Sequence, residues 1–149
     1  MCGDDDDKEI RDRAEGLIRR VWQTPRKYRS ITDQLTGRVR APVAAFEPRS
    51  TDEALSVNVE SSVRAAGLDP ATYSLDLQKH YAARITVADC HDNDLTALRD
   101  PQPDNPHHGL VRGLVEMRAS NPDRYEEVLD ALAKASSIIS ADAASPSAS

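Results

Sequence analysis

The sequence predicts an α+β domain in which a small mixed or antiparallel sheet packs with an N-terminal and a C-terminal amphipathic helix. Two observations carry this. Apolar residues recur at three- and four-residue spacing near both ends of the chain, in 9–22 and again in 122–132. Between those stretches lie short β-type runs separated by Gly, Pro and Asn. The 149 residues, 39% hydrophobic and 30% charged, match one domain with one core. The expected organisation is a disordered acidic N-terminus over 1–8, a single α+β domain over 9–139 and a disordered Ala/Ser tail over 140–149.

Residues 4–8, Asp-Asp-Asp-Asp-Lys, resemble an enteropeptidase cleavage site, and an added tag would explain them. Ile10, Ala14, Leu17, Ile18, Val21 and Trp22 then read as one face of a helix that Pro25 closes. Residues 26–53 read as irregular apart from a short strand at Val43–Phe46. Ala54–Val57 reads as a strand, and Asn58 as the cap of a helix over Val59–Ala66 that Gly67 stops. Asp69 and Pro70 signal a short helix toward Leu77. Tyr81–Val87 alternates as a strand, whereas Ala88–Asp94 reads as a turn or one helical turn, too polar for the core. Leu95–Leu98 and His108–Val115 read as strands flanking a loop that three prolines stiffen, Asp100–Pro106. Asn121 and Pro122 open the C-terminal helix, striped by Tyr125, Val128, Leu129 and Leu132.

Composition narrows the function classes. The core must be aliphatic, because the chain has one Phe, one Trp and four Tyr. Cys2 and Cys90 lie far apart, so no disulfide is expected and a reducing, cytoplasmic compartment fits. No apolar run approaches the roughly 18 residues needed to cross a bilayer. The net charge of −6 is uneven: residues 11–49 hold ten bases against four acids, and residues 50–149 hold eight bases against sixteen acids. A basic segment therefore faces an acidic body, and it can attract that body, an acidic partner or an anion.

Asp89–Asp94, with His107 and His108 beyond it, offers ligand types that divalent metals use. Cys90, His91 and His107 are the candidates, but their spacing matches no structural-zinc pattern. Neither metal nor cofactor is therefore expected. Nucleophilic catalysis needs a hydroxyl or thiol, a base and an orienting group. Ser56, His108 and Asp100 supply those types without any local elbow motif. Arg11, Arg19, Arg20, Arg26, Lys27, Arg29, Arg38 and Arg40 are the candidate partner-binding residues. With Tyr28 among them, the 26–40 stretch could also contact a nucleic-acid backbone.

The strings Ala54-Leu-Ser-Val-Asn58, Asp100-Pro-Gln-Pro-Asp-Asn-Pro106 and His108-Gly-Leu, followed by a C-terminal helix, resemble a pattern in small bacterial proteins. The resemblance spans 43–133 and implies that Ser56, Asn58, Asp100 and His108 lie near one another. The leading expectation is an accessory or adaptor protein acting through protein contacts or self-association, with no membrane partner. The alternatives are a small hydrolase or nucleotide-processing enzyme built on Ser56, Asp100 and His108, and a nucleic-acid-binding accessory protein using 26–40.

Overall fold

The structure, a computed structural model, describes residues 8–49, 54–73 and 75–139. In chain order its elements are β1 (Gly16–Trp22), β2 (Ile31–Thr32), β3 (Val39–Arg40), β4 (Leu55–Val59), α1 (Glu60–Ala65), β5 (His80–Thr86) and α2 (Val87–His91). They continue with β6 (Thr96–Arg99), β7 (His108–Arg112), α3 (Leu114–Ser120), α4 (Pro122–Ala135) and β8 (Ser137–Ile139). Single 3-10 turns lie at Arg26–Tyr28 and Val43–Phe46. Six strands form one antiparallel sheet in the order β6-β7-β4-β1-β5-β8, and β2 and β3 form a separate hairpin. The expected α+β class and antiparallel sheet are present.

The expected N-terminal helix is instead β1, flanked by β4 and β5 in the interior of the sheet. A spacing of four residues satisfies both periods, so Leu17 and Val21, or Ile18 and Trp22, share a face in a strand as well as in a helix. The intervening residues decide between them. β-branched Ile18 and Val21 with aromatic Trp22 suit the pleated form, and Arg19, which shares the Leu17 and Val21 face of the strand, is accommodated there by the Ala45 and Ser56 carbonyls. Ile10 is not part of β1; its N–H donates to the Ala97 carbonyl at 2.8 Å, at the far edge of the sheet.

One sheet face holds the main core. Leu17, Leu55, Val59, Ala83, Ile85 and Val111 project there, each at most 1% exposed. Val128, Leu129 and Leu132 of α4, all fully buried, belong to the same cluster. Asn121 caps α4, its side chain accepting from the Arg124 N–H at 3.3 Å. The other face carries Ile18, Arg84, Asn58 and His108 in one cross-strand row. Helix α1 lies on this side, its Glu60 pairing with Arg84 at 2.9 Å.

Several local expectations give way. Val43–Phe46 is a 3-10 turn between Pro42 and Pro48, and it plugs fully buried Phe46 into the core. Asn58 lies inside β4 and caps nothing; α1 begins at Glu60. Its unpaired first-turn N–H is met from outside by Glu15, which accepts from Ser61 N at 3.0 Å and from the Ser61 hydroxyl. Asp69–Tyr73 makes one turn, with the Asp69 carbonyl accepting from Thr72 and Tyr73, rather than a helix toward Leu77. Helix α2 is capped by Thr86 and Asp89, and its Val87 and Cys90 are fully buried, against the expectation that 88–94 lies outside the core. β7 stops at Arg112 because Gly113 takes φ +122°, which releases the chain into α3. β8 was not expected; it adds Ile138 and Ile139 beside Ala83 and Ala82 of β5. Residues 1–7 and 140–149, where disordered ends are expected, lie outside the described residues.

Candidate functional site

The sheet is forked at its middle. β1 pairs with β5 along all seven residues but meets β4 only at Leu17↔Val59 and Ile18↔Asn58. Beyond those pairs the strands diverge around the Val43–Phe46 turn. Arg19 spans the gap, donating from Nε to the Ala45 carbonyl (3.0 Å) and from Nη1 to the Ser56 carbonyl (2.9 Å). Guanidinium donors thus stand where ladder N–H groups would be.

A groove of about 430 Å³ opens at this fork. That volume falls within the usual range for small-molecule sites. One end is set by Asn58 and His108, the middle by Ser56 and Arg20, and the other end by Trp22 and Tyr28. Arg19, Arg49 and Glu47 also line it.

At the first end, His108 Nδ1 lies 3.1 Å from Asp100 Oδ2 and 3.1 Å from the Asp100 carbonyl. Protonated at Nδ1, the ring donates to both, which leaves the Nε2 lone pair free to accept a proton. The pair is held from both sides. The Asp100 N–H donates to the His108 carbonyl at 2.8 Å, and Gln102 Nε2 donates to Asp100 Oδ2 at 2.8 Å. Asn105 locks the loop beside it: its Nδ2 donates to Asn58 Oδ1 at 2.8 Å, while its Oδ1 accepts from Tyr73 OH (2.8 Å) and from the His107 N–H (3.1 Å).

Ser56, Asn58, Asp100 and His108 therefore share one corner of the sheet. Asn58 lies directly opposite His108 and Ser56 opposite Leu110. Ser56 is thus diagonal to His108, roughly 7–8 Å away at Cα for such pairs. Among the described residues no hydrogen bond joins Ser56 to His108, so the geometry holds a His–Asp pair and not a triad.

The metal candidates are separated. Cys90 is fully buried, and burial pushes its thiol up to about 12. His107 Nδ1 is 2.7 Å from Ser62 Oγ, and its ring meets Tyr73 edge-on at 5.1 Å. His91 Nε2 is buried with no partner among the described residues. No group of three or more His, Cys, Asp or Glu among the described residues could hold a metal ion.

The basic residues also divide. Arg38 turns inward and donates to the carbonyls of Lys134 (2.7 Å), Ala135 (3.0 Å) and Ser136 (2.6 Å), closing the C-terminal end of α4. Arg40 donates to the Ala41 carbonyl and Arg11 pairs with Glu9 at 3.6 Å. Arg26, Lys27 and Arg29 stay on the surface around Tyr28, with Lys27 over the Tyr28 ring at 5.1 Å. Arg19 and Arg20 belong to the groove.

Sequence reasoning missed Asn105, Tyr73 and Arg49. Asn105 had a signal, a polar residue fixed between Pro103 and Pro106; Arg49 and Tyr73 had none. Trp22, expected in core or interface, is 48% exposed at the groove rim, edge-on to His80 at 4.3 Å and 68°. Burial, and secondarily the charge of Arg20, holds the His80 imidazole below its ordinary range. No helix among the described residues is long and apolar enough to cross a membrane. Comparison of the chain with protein-family models, with curated proteins and with solved structures finds no match.

Proposed function

We propose that this chain is a small hydrolase of anionic substrates, with the forked groove as its site. The observation that carries the reading is the His108–Asp100 pair at one end of an arginine-lined groove of ligand size. In this mechanism His108 Nε2 takes a proton from water as the water oxygen bonds to the phosphorus or carbonyl carbon of the substrate. Asp100 holds the Nδ1–H and balances the imidazolium that forms. The imidazolium then returns the proton to the leaving oxygen as its bond breaks. Arg19, Arg20 and Arg49 offset the charge that accumulates on the substrate oxygens. Ser56 lines the groove as a hydrogen-bonding hydroxyl, since no base reaches it.

The test is turnover of p-nitrophenyl phosphate, bis-p-nitrophenyl phosphate and p-nitrophenyl acetate by the purified chain. Replacing His108 by Gln is expected to lower the rate by roughly 10²–10⁴ with folding intact, the usual range for loss of a general base. A wild-type chain inert toward all three, or a fully active His108→Gln variant, would remove the reading.

A second reading, an adaptor that docks through the β2–β3 hairpin, rests on a different observation. Leu35 at its tip is 97% exposed, and Ile31 and Val39 are 40% and 38% exposed. Basic Arg26, Lys27 and Arg29 nearby favour an acidic partner or a second copy. Sedimentation across a concentration series is the measurement: association that Leu35→Asp abolishes supports the hairpin, and a monomer at every concentration counts against self-association.

A further inference from the structure

Two backbone groups set the polarity of the corner that holds Asn58 and His108. A carbonyl oxygen can only accept, so the Asp100 carbonyl 3.1 Å from His108 Nδ1 requires the ring proton to sit on that nitrogen. The neutral ring then keeps its lone pair on Nε2. A backbone N–H can only donate, so the Asn105 side-chain atom 3.1 Å from the His107 N–H is the oxygen. Tyr73 OH donates to the same oxygen at 2.8 Å. The Asn105 amide nitrogen is thereby turned to Asn58, which meets it with its own oxygen at 2.8 Å. Asn58 is left with Nδ2, whose two N–H donors have no hydrogen-bond partner among the described residues.

The two remaining groups are cross-strand neighbours. The Val59 N–H donates to the His107 carbonyl, so Asn58 and His108, the next pair along, face each other without ladder bonds. Such pairs bring side chains closest, with Cβ atoms about 4.5–5.5 Å apart. Both residues line the same end of the groove. A proton acceptor and a neutral double donor are thus available to one small reacting group.

We propose that the Asn58 side-chain amide is the oxyanion donor for a carboxylic ester whose attacking water is deprotonated by His108. This deepens the hydrolase reading, rests on it, and within it selects carbon over phosphorus as the reacting atom. The water oxygen bonds to the carbonyl carbon while its proton passes to His108 Nε2. The carbonyl π pair moves onto the carbonyl oxygen, where Asn58 Nδ2 donates to it. When that pair returns, the bond to the alcohol oxygen breaks and the imidazolium proton goes to the departing oxygen. The Asp100 carboxylate, 3.1 Å from the ring, disfavours a doubly charged phosphate monoester and leaves an uncharged carbonyl unopposed.

Turnover of p-nitrophenyl acetate by the wild-type chain is the reference. Asn58→Asp keeps an oxygen for Asn105 and places a second oxygen where the donors stood. Its kcat is expected to fall by about 10²–10³ with KM within about threefold, as for loss of a group that acts in the transition state. Asn105→Asp reverses the corner without altering Asn58. Its carboxylate still accepts from Tyr73 and His107, so Asn58 must turn its nitrogen toward it and present oxygen to the groove. A comparable fall in kcat is expected, with the circular dichroism spectrum unchanged. A merely structural Asn58 predicts the opposite, because both variants keep every hydrogen bond of the network. Turnover that depends on His108 but is unchanged in Asn58→Asp and Asn105→Asp overturns this assignment and leaves the hydrolase reading standing. Turnover confined to p-nitrophenyl phosphate or bis-p-nitrophenyl phosphate overturns the choice of carbon. A chain inert toward all three esters removes both readings. Nitrogen-resolved magnetic resonance of the wild-type chain needs no turnover: the Asn58 side-chain amide protons should exchange with water as fast as those of a solvent-exposed amide. Strong slowing would show them paired within the protein and would overturn the inference.

Discussion

Glu15 and Ser61 are joined across forty-six residues: the Glu15 carboxylate accepts from both the backbone N–H and the hydroxyl of Ser61. Glu15 is 8% exposed and also accepts from the Gly16 N–H at 3.0 Å. A buried carboxylate before β1 thereby supplies the cap that α1 lacks in its own sequence. Replacing Glu15 by Ala should cost about 1–3 kcal/mol, since it strands buried donors. Urea unfolding monitored by circular dichroism measures it; a loss under a few tenths of a kcal/mol would show that water serves as well.

Arg38 closes α4 through three carbonyls. Arg38→Ala is expected to lower stability by about 1 kcal/mol, as cations at helix C-termini do, and to loosen the hairpin from α4. Raised hydrogen exchange at the end of α4 and in β8 is the signature to look for. Lys at this position should recover only part of the loss, because an ammonium cannot match the spread of a guanidinium.

Gly109 allows β7 to approach β6. A Cβ there would stand 2.9 Å from the Leu98 carbonyl oxygen and 3.0 Å from Val59 Cγ2. Gly109→Ala should therefore destabilise the chain by about 1–3 kcal/mol, the cost of overpacking, even though alanine suits a strand better than glycine does. A thermal melt at unchanged or higher temperature would contradict it.

Cys90 is sealed in α2, with burial and the neighbouring Asp89 charge raising its thiol to about 12. In a Cys2→Ser background it should react with a disulfide reagent only as fast as the core opens. Reaction within seconds in native buffer would exclude the sealed position. Rapid reaction after adding urea should release one equivalent.

His80 provides the pH dependence. Its imidazole is held below its ordinary range by burial first and by Arg20 second, Lys79 adding to this and Asp76 opposing it. The unfolded chain therefore takes up a proton near pH 6.5 while the folded chain does not, so stability rises with pH across this window. Full stability from this residue is present above about pH 6.5 and is lost as the pH falls below it. Unfolding free energies measured between pH 5 and 8 should show that slope, and His80→Phe should flatten it.

Much of this fold was legible because its signals were local. Asn121, Pro122 and the Tyr125–Leu132 stripe marked α4, and the run from Tyr81 through Ile85 marked β5, although Val87, read as its last residue, opens α2. The failures have physical causes. In β1, four-residue spacing fits two periods, and only long-range pairing with β5 chooses between them. Asn58 looked like a cap because its side chain can serve as one, whereas the actual partner, Glu15, lies far away in the chain. The corner of Ser56, Asn58, Asp100 and His108 was readable from motif strings alone. The groove was not, because it exists only where β1 and β4 part company around Phe46, a tertiary event with no local signature.

That parting has a mechanical side. Two residue pairs, Leu17↔Val59 and Ile18↔Asn58, stitch the half-sheet of β6, β7 and β4 to the half-sheet of β1, β5 and β8. With so short a seam, the two halves are held together chiefly by what belongs to neither ladder: the Arg19 guanidinium, which reaches the Ala45 and Ser56 carbonyls, and the shared buried cluster around Phe46.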